Sequence, residues 1–358
     1  MFRTVPVARL REIDASRVCL IKPSALGDVV QTLPLLTALR GRFPEAEIHW
    51  VINRELAELL ECHPCLTGII PFDRRGSWLQ AARLAAELRA REFDLVLDLQ
   101  GLLRTGLMTA ATSAPVRVGL ETAREGARLF ANCTLPETGP AVPAHARYWR
   151  VAELLGVGDA PRAAEFVFSK GEHVWARKLL AGLRRPVLAI HPGARWVTKR
   201  WPVEKFAEIA ARFAATFSGS VLVVGGPGEF QLAEVVAVSA AGRGISHNLA
   251  GRTTLKQLAA LLAGADLLLS NDSGPLHLAD AVGTPVVGLF SCTSPGLSGP
   301  RGAQHALLAA DIACAASYYK TCPHSGTAHL ACLVDLTTER IWQAVIQVLA
   351  RQPAVHTA

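Results

Sequence analysis

Leu267-Leu268-Leu269-Ser270-Asn271-Asp272-Ser273-Gly274-Pro275-Leu276-His277 reads as a buried strand that turns, through small residues, into a helix. Leu267–Ser270 is a continuous apolar run, which suits a strand covered on both faces rather than one with a wet side. The free N–H groups of the helix that follows can hold a diphosphate at Ser273 and Gly274. His277 lies one turn into that helix and can reach the same phosphates. A buried, satisfied histidine is the competing reading, and the preceding Asp-Ser-Gly favours the functional one.

The same rhythm of apolar strand and amphipathic helix fills the rest of the chain, as in a parallel α/β fold. In the first half Arg17–Ile21, Glu47–Ile52 and Leu95–Leu99 read as strands, with helices over Asp28–Arg42 and Trp78–Arg91. The second half restarts with a strand at Pro186–His191 and a helix at Val203–Phe217, which has Pro202 at its opening turn. Strands at Val221–Gly225, Leu267–Ser270 and Pro285–Phe290 and a helix at Leu255–Ala263 follow. Lys170–Arg185 reads as a helix with basic ends, and the domain boundary is placed beside it. The pattern predicts two Rossmann-like domains, residues 1–172 and 173–337, facing a central cleft in which ligands bind. A last helix near Thr338–Ala350, within residues 338–358, is expected to pack back on the first domain.

Three further turns carry candidate chemistry. Lys22-Pro-Ser24-Ala-Leu-Gly27-Asp28 follows the first strand and sets an acid at the start of a helix. Favourable interaction with the helix dipole is its bland explanation. Its place at the C-terminal end of the first strand is where an α/β active face lies. His191-Pro-Gly193-Ala194, followed by Lys199-Arg200-Trp201-Pro202, offers a glycine for close ligand approach and a lysine to neutralise phosphate. In Gly225-Gly-Pro-Gly228-Glu229 the carboxylate can accept hydrogen bonds from ribose hydroxyls. The spacing G-x-G-x-x-G occurs nowhere, which disfavours an NAD dehydrogenase.

Bulk properties narrow the class. The 358 residues suit two domains, half are hydrophobic, and the net charge of +7 favours acidic partners such as phosphates, acidic sugars or anionic lipid. With three tyrosines and scattered arginines, a nucleic-acid stacking surface is not expected. No apolar stretch reaches the roughly 18 residues of a membrane helix, and no h-region follows the N-terminal arginines, so a cytoplasmic chain is expected. Cys62 and Cys65 form a lone C-x-x-C; Cys314, Cys322 and Cys332 lie near His324 and His329. Reduced thiols are the preferred reading for both groups, and no metal is expected.

Taken together, K-x-S-x-x-G-D at Lys22–Asp28, K-x-W-P at Lys199–Pro202 and D-S-G-x-x-H at Asp272–His277 resemble glycosyltransferase family 9, the lipopolysaccharide heptosyltransferases. Asp98-Leu-Gln100-Gly101-Leu, Thr122-Ala-Arg124-Glu125 and His145-Ala146 match as well, and the resemblance runs from Val18 to the final helix. It implies a two-domain GT-B fold and metal-free, inverting transfer of heptose from ADP-heptose to Kdo-lipid A or a heptosylated core. The absence of a D-x-D pair agrees with that. Asp28 is the implied base. Lys199, the Ser273 and Gly274 amides and His277 would stabilise the diphosphate, with Ser24, Gly27, Gly193 and Ala194 also lining the donor. Glu229 would hold the ribose, and Asp272 would contact the sugar or cap its helix. Arg74, Arg75, Arg104, Arg124 and Arg147 are available for an acidic glycolipid acceptor, Arg124 foremost, with the protein peripheral on the cytoplasmic face of the inner membrane.

The sequence departs from the family at two places. Gly193-Ala194 and Trp196-Val197 stand where some members carry Thr-Thr, so backbone amides would meet the phosphates. Phe290-Ser-Cys292-Thr-Ser-Pro295 replaces an expected Gly-Pro-Thr-Asp-Pro beside the base. Rival readings are an epimerase or a transferase using another nucleotide sugar, and a non-catalytic nucleotide-sugar-binding protein.

Overall fold

The computed structural model describes residues 4–352. The chain divides into two compact units, Met1–Val167 and Phe168–Ala358. In the first, β1 (Arg17–Ile21), β2 (Glu47–Asn53), β3 (Gly68–Phe72), β4 (Leu95–Asp98), β5 (Val116–Leu120) and β6 (Cys133–Leu135) form a parallel sheet in the order β3-β2-β1-β4-β5-β6. Alternate residues of β1 feed opposite layers. Val18 and Leu20 join one core, under the helices Leu26–Arg42 and Ala144–Leu154, while Cys19 and Ile21 join another. Every one of those four side chains is buried, which is why the strand is apolar throughout.

The second unit repeats the plan. Its strands are β7 (Val187–His191), β8 (Ser220–Val223), β9 (Ile245–Asn248), β10 (Leu267–Asn271), β11 (Val286–Phe290) and β12 (Ala306–Ala309). Their order, β12-β11-β10-β7-β8-β9, is the same topology read from the other edge. In each unit the chain reverses its direction of travel across the sheet beside the first strand, between β1 and β4 and between β7 and β10. Such switch points open a crevice at the C-terminal ends of the strands. Both candidate sites lie there.

The unit boundary falls at Val167 and Phe168 rather than after residue 172. Ser169 caps the helix Lys170–Ala181, its hydroxyl accepting from Glu172 N at 3.2 Å while Glu172 Oε2 accepts from Ser169 N at 2.6 Å. This reciprocal cap starts the helix inside the second unit. The helix Thr338–Ala350 has its expected bounds, and its apolar face is buried in the second unit's own core. Ile341, Trp342, Val345 and Val348 are buried in the core with β10 and β11. Burial of each contributes on the order of 2 kcal/mol. Residues 353–358 of the expected terminal segment lie outside the described residues.

Candidate active site

In the first unit the crevice between β1 and β4 gathers an ionic cluster. The helix after β1 starts at Leu26, two residues ahead of expectation, so Asp28 stands in its first turn and Oδ2 accepts from Ala25 N at 3.2 Å. Oδ1 accepts a 2.7 Å hydrogen bond from the Tyr148 hydroxyl. Lys22 Nζ lies 3.8 Å from Oδ2 and 4.9 Å from the Tyr148 ring centroid. Burial depresses the Lys22 ammonium below the usual lysine range, against the pull of Asp28 and Asp98. Burial, reinforced by the Asp28 charge, raises Tyr148 well above its ordinary value, so it stays a neutral donor. The Asp28 side chain itself remains about a third exposed, at 36%. A carboxylate fixed on one oxygen by a phenol and open to solvent can accept a proton from a hydroxyl.

Asp98, at the end of β4, braces the floor. Its Oδ1 accepts from the amides of Gln100 and Gly101, its Oδ2 from the Thr105 hydroxyl, and Gln100 Oε1 in turn accepts from Ser24 N at 3.3 Å. Gly27 is buried in the same turn. Among the candidate arginines, Arg147 sits one residue before Tyr148, part-buried, and its charge acts on Lys22. Arg74, Arg75, Arg104 and Arg124 are exposed on other elements.

In the second unit the crevice between β7 and β10 holds two linked groups. His191, at the end of β7, spans the gap: its Nδ1 is 3.0 Å from Ser273 Oγ and its Nε2 is 3.2 Å from Glu229 Oε2. Glu229 also accepts from the amide of Gly226 at 2.8 Å. Burial opposes its ionisation, but the hydrogen bond and charge of His191, with Gly226 and Arg200, together hold its carboxyl below the usual range. A β-carbon on Gly193 would stand 1.7 Å from Glu229 Oε1, so glycine is what lets the Glu229 carboxylate occupy this position. The neighbouring Ala194 is buried, its carbonyl accepting from Arg200 Nε at 2.6 Å.

The other group is an ion pair. Lys199 Nζ donates to Asp272 Oδ2 at 2.6 Å, and the Thr293 hydroxyl donates to the same oxygen at 2.6 Å. His277 is buried beside them, its Nε2 3.9 Å from Asp272 Oδ1. Lys199 also lies over the Trp196 ring, 4.7 Å from its centroid. Ser273 caps the helix Gly274–Ala281 in extended conformation, without a side-chain bond to the helix amides. Those amides and the positive end of the helix are suited to a phosphate oxygen.

Seven of the eight donor-side positions expected in this unit, Gly193, Lys199, Glu229, Asp272, Ser273, Gly274 and His277, therefore meet around one crevice, and Ala194 adjoins it. Sequence reasoning did not single out Tyr148, Thr293 or the bridging role of His191. The signal for Tyr148 was its position three residues after His145, in the matching His145-Ala146 element. Thr293 lies in the segment that departs from the family pattern. Among the described residues no three His, Cys, Asp or Glu side chains are arranged to hold a metal ion.

The model of glycosyltransferase family 9 (heptosyltransferase) matches residues 81–328. The chain belongs to this family, and is a transferase of the GT-B class. It is similar to the lipopolysaccharide core heptosyltransferase OpsX of Haemophilus influenzae, at 31% identity over 79% of this chain and 81% of that protein. A family 9 glycosyl transferase from Veillonella parvula superposes with a TM-score of 0.79 at 26% identity, covering 95% of this chain and 99% of that one. Escherichia coli heptosyltransferase WaaC, solved with ADP, shares the fold with a TM-score of 0.67 at 24% identity, covering 93% and 99%.

Proposed function

We propose that this protein transfers L-glycero-D-manno-heptose from ADP-heptose to the inner core of lipopolysaccharide, with inversion and without a metal ion. The family 9 match, together with a second unit whose switch point gathers Ser273, His191, Glu229 and Lys199, carries this reading. The ADP bound by the solved Escherichia coli relative supports the choice of nucleotide.

Asp28 takes the proton of the acceptor hydroxyl as its oxygen attacks the anomeric carbon. The bond from that carbon to the β-phosphate oxygen breaks, and ADP leaves with the added negative charge. Lys199 and the amides at Ser273 and Gly274 meet that charge. Glu229 accepts from the ribose hydroxyls, and His191 holds it in register with Ser273. The acceptor is an acidic glycolipid, Kdo-lipid A or a heptosylated core, met by Arg147 near the base and by Arg74, Arg104 and Arg124 further out. Such an acceptor puts the enzyme at the cytoplasmic face of the inner membrane. Attachment there is peripheral in this reading; among the described residues no helix is long and apolar enough to cross a membrane.

Mass spectrometry of purified protein with ADP-, UDP- and GDP-sugars and a panel of core acceptors tests the reading. Transfer of heptose from the ADP donor is expected. Transfer from a UDP or GDP sugar alone, or from none, overturns it.

A further inference from the structure

One face of the first unit is built unlike the rest. The helices Trp78–Ala90 and Leu103–Ala111 pack side by side, and the turn Ala127–Phe130 packs on the second of them. One ring carbon of Phe130 lies 2.5 Å, and the Ala127 backbone 3.1 Å, from where a β-carbon on Gly106 would stand, so glycine is what lets that turn lie close. Arg89, in the last turn of one helix, donates to Ser113, just past the end of the other, at 2.7 Å. The two helices therefore run in the same sense, with their N-terminal turns at one end. In a parallel α/β unit that end is the C-terminal edge of the sheet, where Asp28 also sits.

This end exposes large apolar side chains that a lone surface would hide. Trp78 and Leu129 are each 76% exposed, Leu107 is 54%, Leu79 is 50% and Leu103 is 45%. Along the helix Trp78–Ala90 only Leu88 is fully buried, so its outer side is available to a partner. Arg74, Arg75 and Arg104 stand exposed beside these residues and form no ion pair among the described residues. Two nearby acids are already matched, Asp73 by Arg54 and Glu87 by Arg91, and Glu125 accepts from the amide of Leu103. The surface is apolar in its middle and basic at its margin. Aromatic and aliphatic residues beside unpaired arginines are what an anionic lipid–water interface takes up.

We infer that Trp78, Leu79, Leu103, Leu107 and Leu129 form the face that docks onto an anionic bilayer, with the nearby arginines meeting lipid phosphates. This rests on the proposed glycolipid acceptor and says which surface brings the enzyme to it. Docking there sets the edge of the sheet that carries Asp28 against the headgroup layer, where a lipid-anchored sugar stands.

Flotation with phosphatidylethanolamine–phosphatidylglycerol vesicles, against pure phosphatidylcholine, tests the inference on the full chain. Wild type is expected to float with the anionic vesicles, and the W78S/L79S/L107S variant to bind at least about tenfold less. All three side chains are exposed, so thermal unfolding of the variant should match wild type. On an acceptor embedded in anionic vesicles the variant should transfer more slowly, and on a deacylated, soluble acceptor at the wild-type rate. Equal flotation of wild type and variant overturns the docking face, as does wild type that ignores anionic vesicles. So does light scattering that shows a wild-type dimer dispersed by the variant, because a second copy then covers the face. Normal transfer to the soluble acceptor with no vesicle binding removes only the docking face. No transfer to either acceptor removes the function.

Discussion

The hydroxyl of Tyr148 donates a 2.7 Å hydrogen bond to Oδ1 of Asp28, a residue 120 positions earlier in the chain. The donor is buried, and its partner keeps one face in solvent. That bond fixes the direction in which the carboxylate presents its lone pairs. Tyr148→Phe keeps the ring over Lys22 and removes only the donor. Its expected cost is roughly 1.5–3 kcal/mol of stability, the worth of a hydrogen bond to a charged group. Turnover should fall by about tenfold with ADP affinity unchanged, as measured by steady-state kinetics and calorimetry.

Asp28→Asn is nearly isosteric and cannot take a proton. Turnover should drop by about 10²- to 10⁴-fold. The residues assigned to ADP lie in the second unit, so nucleotide affinity should hold. Wild-type turnover in this variant assigns the base elsewhere.

Gly193→Ala separates nucleotide binding from folding. The new β-carbon would stand 1.7 Å from Glu229 Oε1, and the movable partner is the end of a glutamate side chain. Glu229 should swing out and the unit should stay folded. Calorimetry should show ADP binding weakened by at least about tenfold, with the melting temperature within a few degrees of wild type. Undiminished ADP binding removes Glu229 from the site.

The Lys199–Asp272 pair predicts strong non-additivity. The two side chains are 17% and 5% exposed, so removing the lysine leaves a buried carboxylate with only the Thr293 hydroxyl on Oδ2 and His277 3.9 Å from Oδ1. Lys199→Met should cost about 3 kcal/mol, and K199M/D272N should recover much of it. Urea unfolding of the four species measures the coupling. Additive effects would mean the pair is not formed.

Glu229 also predicts a pH dependence. Its folded-state pKa lies below the ordinary 4.5, with the His191 bond overcoming the burial that would raise it. A depressed carboxylate contributes stability above its unfolded value, and that contribution is lost as pH falls through the folded value. Melting temperatures measured from pH 6 downward should therefore fall more steeply below about pH 4.5 in wild type than in Glu229→Gln. Parallel curves for the two proteins would contradict the shift.

The order of elements was legible because periodicity is local. Val203–Phe217, Leu255–Ala263 and Thr338–Ala350 have the bounds their apolar spacing predicts. The half-exposed edge strand β9 and the helix Phe230–Ala240 lacked that contrast and were not anticipated. Asp28, Lys199, Glu229 and Ser273 could be named in advance because each closes a turn at the end of an apolar strand, the part of an α/β unit that faces ligands.

What the sequence alone determined is the set of turns that carry chemistry and the alternation that makes each half a parallel sheet. Which side chains meet was decided by tertiary structure. His191 reaches Ser273 over 82 positions and Glu229 over 38, and Lys199 reaches Asp272 over 73. These pairings exist because β7 lies between β8 and β10, and strand order is set by how whole helices and strands pack. The apolar face of the helix Thr338–Ala350 makes the same point. Its spacing specified that a face would be buried, and only the second unit's core determined against what.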